Sequence, residues 1–256
     1  ATFTVLTLPA QPSVITGTDN IVCASQTGVG YSVTNVSGLT YNWAITSGSG
    51  NIASGQGTNA VTVNWGSAGP AVLQVTPVSG CGAGTPRTLN VTVNTNPIGN
   101  ITPSNPSICA GTTQVLTASA TAGTGGNGSF SYVWSTSSTA NNISVSTSNT
   151  YSVTVTEGVS GCSAVAATIL TVNPLPTPSI SGNATICNGN TTTLTASGGA
   201  TYAWSNSATT AAISVSPTAN TTYTVTATSA AGCSVTSLPV AVNVFANPTA
   251  TITAGG

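Results

Sequence analysis

The chain has 256 residues, of which 39% are hydrophobic and only 1% are charged: one basic residue, two acidic residues and no histidine. About 25% of the residues in a typical soluble domain are charged, so the polar surface here must come from Thr, Ser, Asn, Gln and the backbone. Binding to nucleic acid or to anionic lipid needs several Lys or Arg side chains, and the composition excludes both partners because Arg87 stands alone.

One pattern of cysteine and aromatic residues occurs three times: a Cys, an aromatic-x-Trp triplet and a second Cys. The three sets are Cys23, Tyr41-Asn42-Trp43 and Cys81; Cys109, Tyr132-Val133-Trp134 and Cys162; and Cys187, Tyr202-Ala203-Trp204 and Cys233. Short proline-bearing junctions separate the sets. In chain order the pattern predicts the last strand of a preceding repeat in 1–10, a first repeat in 11–95, a second in 96–174, a third in 175–246, and the first strand of a following repeat in 247–256. We expect a piece of a longer array.

The period within a repeat is two residues, which is typical of strands. In the third repeat Tyr223, Val225 and Ala227 alternate with threonines. Strands are also expected at about 191–197, 201–205, 211–216 and 234–244, separated by Gly, Asn, Ser and Pro turns. No segment has helical periodicity, and no apolar run reaches the roughly 18 residues of a membrane helix, so we expect an all-β chain without membrane insertion.

These motifs resemble a known group of repeats. The third repeat carries Ile186-Cys187-Asn188-Gly189 and Thr222-Tyr223-Thr224-Val225, and the first carries Gly55-Gln56-Gly57-Thr58-Asn59 but has Ala71-Val72-Leu73 where a Tyr is expected. The chain is similar to the PKD-like and Ig-like repeats of large surface adhesins that gliding and biofilm-forming bacteria secrete as type IX-like cargo. The resemblance implies tandem immunoglobulin-like antiparallel β-sandwiches in an elongated array.

The six cysteines allow 15 complete pairings. The order of the repeats predicts Cys23 with Cys81, Cys109 with Cys162, and Cys187 with Cys233. Reduced buried cysteines are the alternative, and a zinc site is weaker because the chain has no His and no CxxC spacing. Disulfides would place the chain outside the cytoplasm, so we expect an extracellular location, either secreted or at the cell surface.

Aromatic residues recur at fixed strand positions, which favours a place in the core over sugar stacking. The predicted core aromatics are Trp43, Trp134, Trp204, Tyr151 and Tyr223. Trp65 has no counterpart in the other repeats and is the possible surface aromatic, although burial under an insertion is the preferred interpretation.

The sequence offers no catalytic constellation. A Ser or Thr nucleophile needs a base, and His and Lys are both missing. The two acids, Asp19 and Glu157, fall in different repeats, whereas glycoside hydrolysis needs a pair of carboxylates and calcium needs several in one site. We therefore predict no catalytic residue, no metal site and no cofactor. Asp19 is expected to form a weak surface pair with Arg87.

The predicted function is that of a structural or adhesive module in a stalk or filament. Its expected partners are neighbouring repeats of the same chain or identical chains. Binding of surface glycans is the alternative, and it requires a shallow groove with an exposed aromatic. Ice binding by a flat array such as Thr222, Thr224 and Thr226 is a third hypothesis. With so few charges, stability should respond little to salt or to pH between about 5 and 9.

Overall fold

A computed structural model describes residues 7–17 and 20–250 of the chain. These residues form 25 β-strands joined by turns and loops. None of the described segments is a helix with the length and apolarity needed to cross a membrane. The described residues divide into two compact units, the first made of 7–17, 20–104, 115–144 and 150–169, and the second of 105–114, 145–149 and 170–250.

The first repeat lies in the first unit and forms two facing sheets. Its strands are β1 (Thr16–Gly17), β2 (Ile21–Cys23), β3 (Val29–Ser32), β4 (Thr40–Ser47), β5 (Gly50–Ser54), β6 (Ala60–Trp65), β7 (Gly69–Ser79), β8 (Gly82–Ala83) and β9 (Arg87–Asn94). One sheet has the order β1-β3-β6-β5, and the other has the order β2-β9-β7-β4 with β8 beside β7. Side chains of both sheets, such as Val63 and Leu73, are fully buried in one cluster, so the two sheets form a sandwich.

The second repeat begins its strands at Ile98. They are β10 (Ile98–Thr102), β11 (Ser107–Cys109), β12 (Gln114–Thr121), β13 (Phe130–Trp134), β14 (Asn142–Val145), β15 (Asn149–Glu157) and β16 (Ser163–Asn173). The sheet orders are β10-β12-β14 and β11-β16-β15-β13.

The third repeat lies in the second unit. Its strands are β17 (Ser179–Gly182), β18 (Thr185–Cys187), β19 (Thr192–Ser197), β20 (Thr201–Trp204), β21 (Ala212–Val215), β22 (Thr221–Tyr223), β23 (Val225–Thr228), β24 (Ser234–Thr236) and β25 (Val240–Phe245). They pair in the orders β17-β19-β21, β18-β25-β22 and β20-β23-β24.

All three repeats share one strand order. The first, third and a later strand of each repeat lie in one sheet, which also includes β5 in the first repeat. The other strands form a second sheet in the first and second repeats and two sheets, β18-β25-β22 and β20-β23-β24, in the third. Strands A, B and E and strands C, F and G of immunoglobulin domains divide in this way. In each repeat the short strand with the first Cys, namely β2, β11 or β18, runs parallel to the last strand, namely β9, β16 or β25. The chain is therefore all-β and consists of tandem immunoglobulin-like β-sandwiches.

Alternating residues explain why these segments form strands. In β6 the side chains of Val61, Val63 and Trp65 are buried while those between them are partly exposed, as a half-buried strand requires. The strand predicted over 234–244 is instead two strands, β24 and β25. The Ser237 hydroxyl accepts the Val225 N–H at 3.2 Å, and Pro239 has no N–H to donate. The backbone hydrogen-bond ladder is therefore interrupted between β24 and β25. The predicted end strands of the neighbouring repeats fall mostly outside the described residues.

Candidate functional site

The structure contains two disulfides, Cys23–Cys162 and Cys109–Cys233, with Cα–Cα distances of 5.5 and 5.7 Å. Cys81 and Cys187 are free thiols. Each disulfide lies within one of the two units. Both bonds join consecutive repeats, so the predicted pairing within each repeat is wrong.

Strand geometry explains why the two cysteines of one repeat do not meet. Cys23 lies opposite Asn94, at the end of β9, whereas Cys81 precedes the start of β9. The eight residues of β9 span about 26 Å, and a disulfide tolerates at most about 7 Å between Cα atoms. The first and second Cys of a repeat therefore lie at opposite ends of its last strand.

The first cysteines of the repeats, Cys23, Cys109 and Cys187, are called here the strand-end cysteines. Each ends a short strand beside the end of the last strand, opposite Asn94, Asn173 and Phe245 respectively. The residue after each Cys donates its N–H to the carbonyl of that opposite residue. The donors are Ala24, Ala110 and Asn188, each at 2.8 Å. The backbone thus holds all three cysteines in the same way.

The second cysteines, Cys81, Cys162 and Cys233, are called here the turn cysteines. Each follows a glycine and lies before the last strand of its repeat. A serine hydroxyl accepts the N–H of each Cys; the serines are Ser79 at 3.2 Å, Ser160 at 3.3 Å and Ser229 at 3.2 Å. The two bonded turn cysteines are buried, and Cys81 is half-buried.

The three predicted core tryptophans each make the same kind of hydrogen bond. Trp43, Trp134 and Trp204 are 2 to 4% exposed, and Tyr151 and Tyr223 are also buried. Each of the three indole N–H groups donates to a backbone carbonyl; the acceptors are Thr58 at 2.9 Å, Ala140 at 2.8 Å and Thr210 at 2.9 Å. A buried indole with its N–H satisfied is typical of a core position and leaves no face for a sugar.

Trp65 is not a surface aromatic, because it is 2% exposed. Its indole N–H donates to the Tyr31 hydroxyl at 3.1 Å, and the two rings meet edge to face with centroids 6.1 Å apart. Both rings belong to the buried core cluster of the first repeat.

Sequence reasoning missed the environment of Glu157, which is fully buried in the first unit. Its carboxylate accepts the Gly128 N–H at 3.0 Å and the Ser160 hydroxyl at 3.5 Å. Gly126 lies against the same carboxylate. The glycine-rich loop 123–128 was the available signal, since glycine allows a backbone to approach another group closely.

An open groove of about 550 Å³ lies in the first unit. Its hydroxyl lining includes Thr16, Ser32, Ser54 and Thr62. Tyr31, the aromatic in its lining, is only 2% exposed, so this groove does not offer the exposed ring that the glycan hypothesis requires.

The threonine array of the ice-binding hypothesis is interrupted. Thr222 lies in β22, Thr226 lies in β23, and Thr224 falls in the break between the two strands. The Thr226 hydroxyl is hydrogen-bonded to that of Thr236 at 2.9 Å. These threonines do not form one continuous strand face.

Arg87 and Glu157, the two charged residues that the structure describes, bind different backbone groups. Arg87 donates to the Pro12 carbonyl at 3.2 and 3.3 Å, and the predicted partner Asp19 lies outside the described residues. Within 7–17 and 20–250, no three His, Cys, Asp or Glu side chains are grouped so that they could hold a metal ion.

Comparison with solved structures gives similarity along most of the chain. An I-band fragment of titin is 12% identical, with 93% of this chain and 99% of that chain covered and a TM-score of 0.34. Three N-terminal domains of the bacteriophage RB49 outer capsid protein Hoc are 16% identical, with coverage of 93% and 99% and a TM-score of 0.32. An ectodomain fragment of ICAM-5 is 9% identical, with coverage of 90% and 76% and a TM-score of 0.37.

No curated protein matches this sequence. The model of the PKD-like domain family matches residues 8–91. That range includes most of the first repeat, where the aromatic triplet and the glycine-rich motif 55–59 lie. The first repeat is therefore similar to PKD-like domains.

Proposed function

We propose that this chain is a structural and adhesive module of a secreted stalk or filament at the cell surface, without catalytic activity. The observation that carries the proposal is the pairing of the disulfides. Cys23 of the first repeat is bonded to Cys162 of the second, and Cys109 of the second to Cys233 of the third. Successive repeats thus have a second covalent connection beside the polypeptide.

This arrangement limits how far the chain can be extended by force. The shortest covalent path runs to Cys23, crosses to Cys162, returns to Cys109 and crosses to Cys233. It contains 101 of the 256 residues, which at about 3.6 Å per residue gives a limit on the order of 360 Å, against about 920 Å for the reduced chain. A module with this limit suits a protein that carries tension.

The proposed location follows from the chemistry of the bonds. Disulfides persist in oxidising compartments, and the similarity of the motifs to secreted bacterial adhesins supports the same location. The proposed partners are neighbouring repeats and identical chains, because a surface with almost no charge produces little repulsion between copies.

Single molecules pulled from both termini test the mechanical function. We expect the oxidised chain to reach no more than about 360 Å and to unfold at a higher force than the reduced chain, which should extend to about 920 Å. Equal unfolding forces for the two forms would contradict a role in carrying tension.

Electron microscopy with a labelled antibody tests the location on cells that make the protein. We expect the label along threads outside the cell. Label confined to the cell interior would overturn the proposal.

A further inference from the structure

The two free cysteines occupy the same kinds of position as the bonded ones. Cys187 is a strand-end cysteine and Cys81 is a turn cysteine. We propose that both are halves of further disulfides to repeats of the same kind: Cys187 to the turn cysteine of a following repeat, and Cys81 to the strand-end cysteine of a preceding one.

The observed bonds follow one rule. In each, the strand-end cysteine of one repeat is bonded to the turn cysteine of the next, as in Cys23–Cys162 and Cys109–Cys233. The second repeat obeys the rule in both directions, since Cys109 is bonded forward and Cys162 backward. Applied to the third repeat, the rule assigns a forward bond to Cys187, and applied to the first repeat it assigns a backward bond to Cys81.

The backbone around Cys187 reproduces that of the bonded strand-end cysteines. The Asn188 N–H donates to the Phe245 carbonyl at 2.8 Å, and the Asn190 N–H donates to the Cys187 carbonyl at 3.0 Å. The Cys23 and Cys109 carbonyls likewise accept the N–H groups of Gln26 and Thr112, both at 3.1 Å. Cys187 is therefore held in a bonding position, and its side chain is exposed to a partner.

The segment that leaves the third repeat is also held like the segment that leaves the first. The Asn96 side chain donates to the carbonyl of Ala24, the residue after Cys23, at 3.3 Å. The Asn247 side chain donates in the same way to Asn188, the residue after Cys187, at 3.1 Å. Each of these asparagines precedes a proline. The exit beside Cys187 thus has the contacts found where a disulfide to the next repeat is present.

The turn that carries Cys81 reproduces the turn of a bonded cysteine. The Cys81 N–H is accepted by the hydroxyl of Ser79, two residues earlier, at 3.2 Å, as the Cys162 N–H is by Ser160 at 3.3 Å. Both cysteines follow a glycine. Cys81 is half-buried and remains accessible, whereas the bonded Cys162 is fully buried.

The partner repeat has two possible sources with the same chemistry. It can belong to the same polypeptide beyond these 256 residues, or to a second copy of this chain, whose Cys81 and Cys187 are of the two matching types. Each bond forms when two thiols lose two protons and two electrons to a low-molecular-weight disulfide, which is reduced to two thiols. The result is a chain of repeats with a disulfide across every junction.

The structural role of these further disulfides rests on the proposed function. The experiment below measures covalent linkage, whereas the tests of the proposed function measure unfolding force and cellular location. Either proposal can therefore fail while the other succeeds.

The decisive experiment uses two variants of the chain, Cys81→Ser and Cys187→Ser. Each is incubated with oxidised glutathione alone and then mixed with the other, and products are separated by non-reducing electrophoresis. Because the bond joins two different positions, we expect the mixture to give at least about tenfold more dimer than either variant alone. Chymotryptic peptides should identify the bond as Cys187–Cys81. Trypsin is unsuitable because Arg87 is the single basic residue.

The protein purified from cells that make it distinguishes the two sources. A Cys81–Cys187 bond between copies, or bonds from both residues to cysteines of other repeats in the same polypeptide, would each support the inference and identify the source. Symmetric Cys187–Cys187 dimers from the Cys81→Ser variant in equal yield, or two thiols that remain open to alkylation in the protein as cells make it, would overturn it.

Discussion

Gly126 has no room for a side chain, because the Glu157 carboxylate occupies the position that a Cβ atom would take. Glu157 is fully buried and accepts the Gly128 N–H, so it cannot move aside without leaving polar groups unpaired. We expect Gly126→Ala to lower the free energy of unfolding by about 1–3 kcal/mol, measured by urea denaturation.

The matched control is Gly30→Ala, since a Cβ atom at the exposed Gly30 meets nothing within 4 Å. A second control removes the Glu157 carboxylate that a Cβ atom at Gly126 would meet. In the Glu157→Ala background, Gly126→Ala should have a smaller effect, with a coupling energy of at least about 1 kcal/mol. Equal losses in the free energy of unfolding for Gly126→Ala and Gly30→Ala would contradict this prediction, because they would show that loop 123–128 can shift to accommodate a Cβ atom.

The Tyr31 hydroxyl is the acceptor for the buried Trp65 indole N–H. Tyr31→Phe keeps the ring and removes the acceptor, so the N–H is left unpaired in the core, and we expect a loss of about 1–3 kcal/mol in the free energy of unfolding. Tyr132→Phe is the control because that ring is only half-buried. A loss below about 0.5 kcal/mol for Tyr31→Phe, measured by chemical denaturation, would mean that the hydrogen bond contributes little.

At the scale of the strands, the disulfide Cys23–Cys162 closes a loop of 139 residues between β2 and the turn before β16. In the chain-entropy model such a loop destabilises the unfolded state by about 5 kcal/mol, an upper value where native strain offsets it. We expect Cys23→Ser, Cys162→Ser and the double variant to lose the same amount of stability, since each change breaks the same bond. Thermal unfolding followed by calorimetry measures this.

Reduction provides the control for that comparison. With a reducing agent present, the unmodified chain and the double variant should unfold at the same temperature, because both then lack both disulfides. Losses that add up from the two single variants would contradict the bond, because they would show that each cysteine stabilises the fold by separate contacts.

The strands could be predicted from the sequence because alternation is a local property. The segment expected over 191–197 is β19, Thr192–Ser197, and the one expected over 211–216 is β21, Ala212–Val215. The strand expected over 234–244 contained a local break at Ser237 and Pro239 that alternation alone does not reveal.

The disulfide pairing could not be predicted in this way, because it depends on long-range register. A repeated Cys pattern fits pairing within repeats as well as pairing between them. The deciding fact is that β2 runs parallel to β9, which places Cys23 at the end of β9 and away from Cys81. For Trp65, the missing information was its contact with Tyr31, 34 residues earlier.

For the whole molecule, the near absence of charge limits how solution conditions can act. Two of its three charged side chains are within the described residues, and both make hydrogen bonds: Arg87 to the Pro12 carbonyl and Glu157 to the Gly128 N–H. The remaining polar side chains are neutral hydroxyls and amides, whose hydrogen bonds are not screened by dissolved ions. Stability therefore depends on apolar burial, neutral hydrogen bonds and the disulfides.

We accordingly expect the melting temperature to change by less than about 2 °C between 0.05 and 0.5 M sodium chloride, because there are few charge pairs for the salt to screen. Ammonium sulfate is the contrasting salt. It is excluded from protein surfaces and strengthens apolar burial, so it should raise the melting temperature over the same range. A change of more than about 5 °C in sodium chloride, measured by scanning calorimetry on the oxidised chain, would contradict this view and would indicate that the few charged groups contribute much more than exposed ion pairs do.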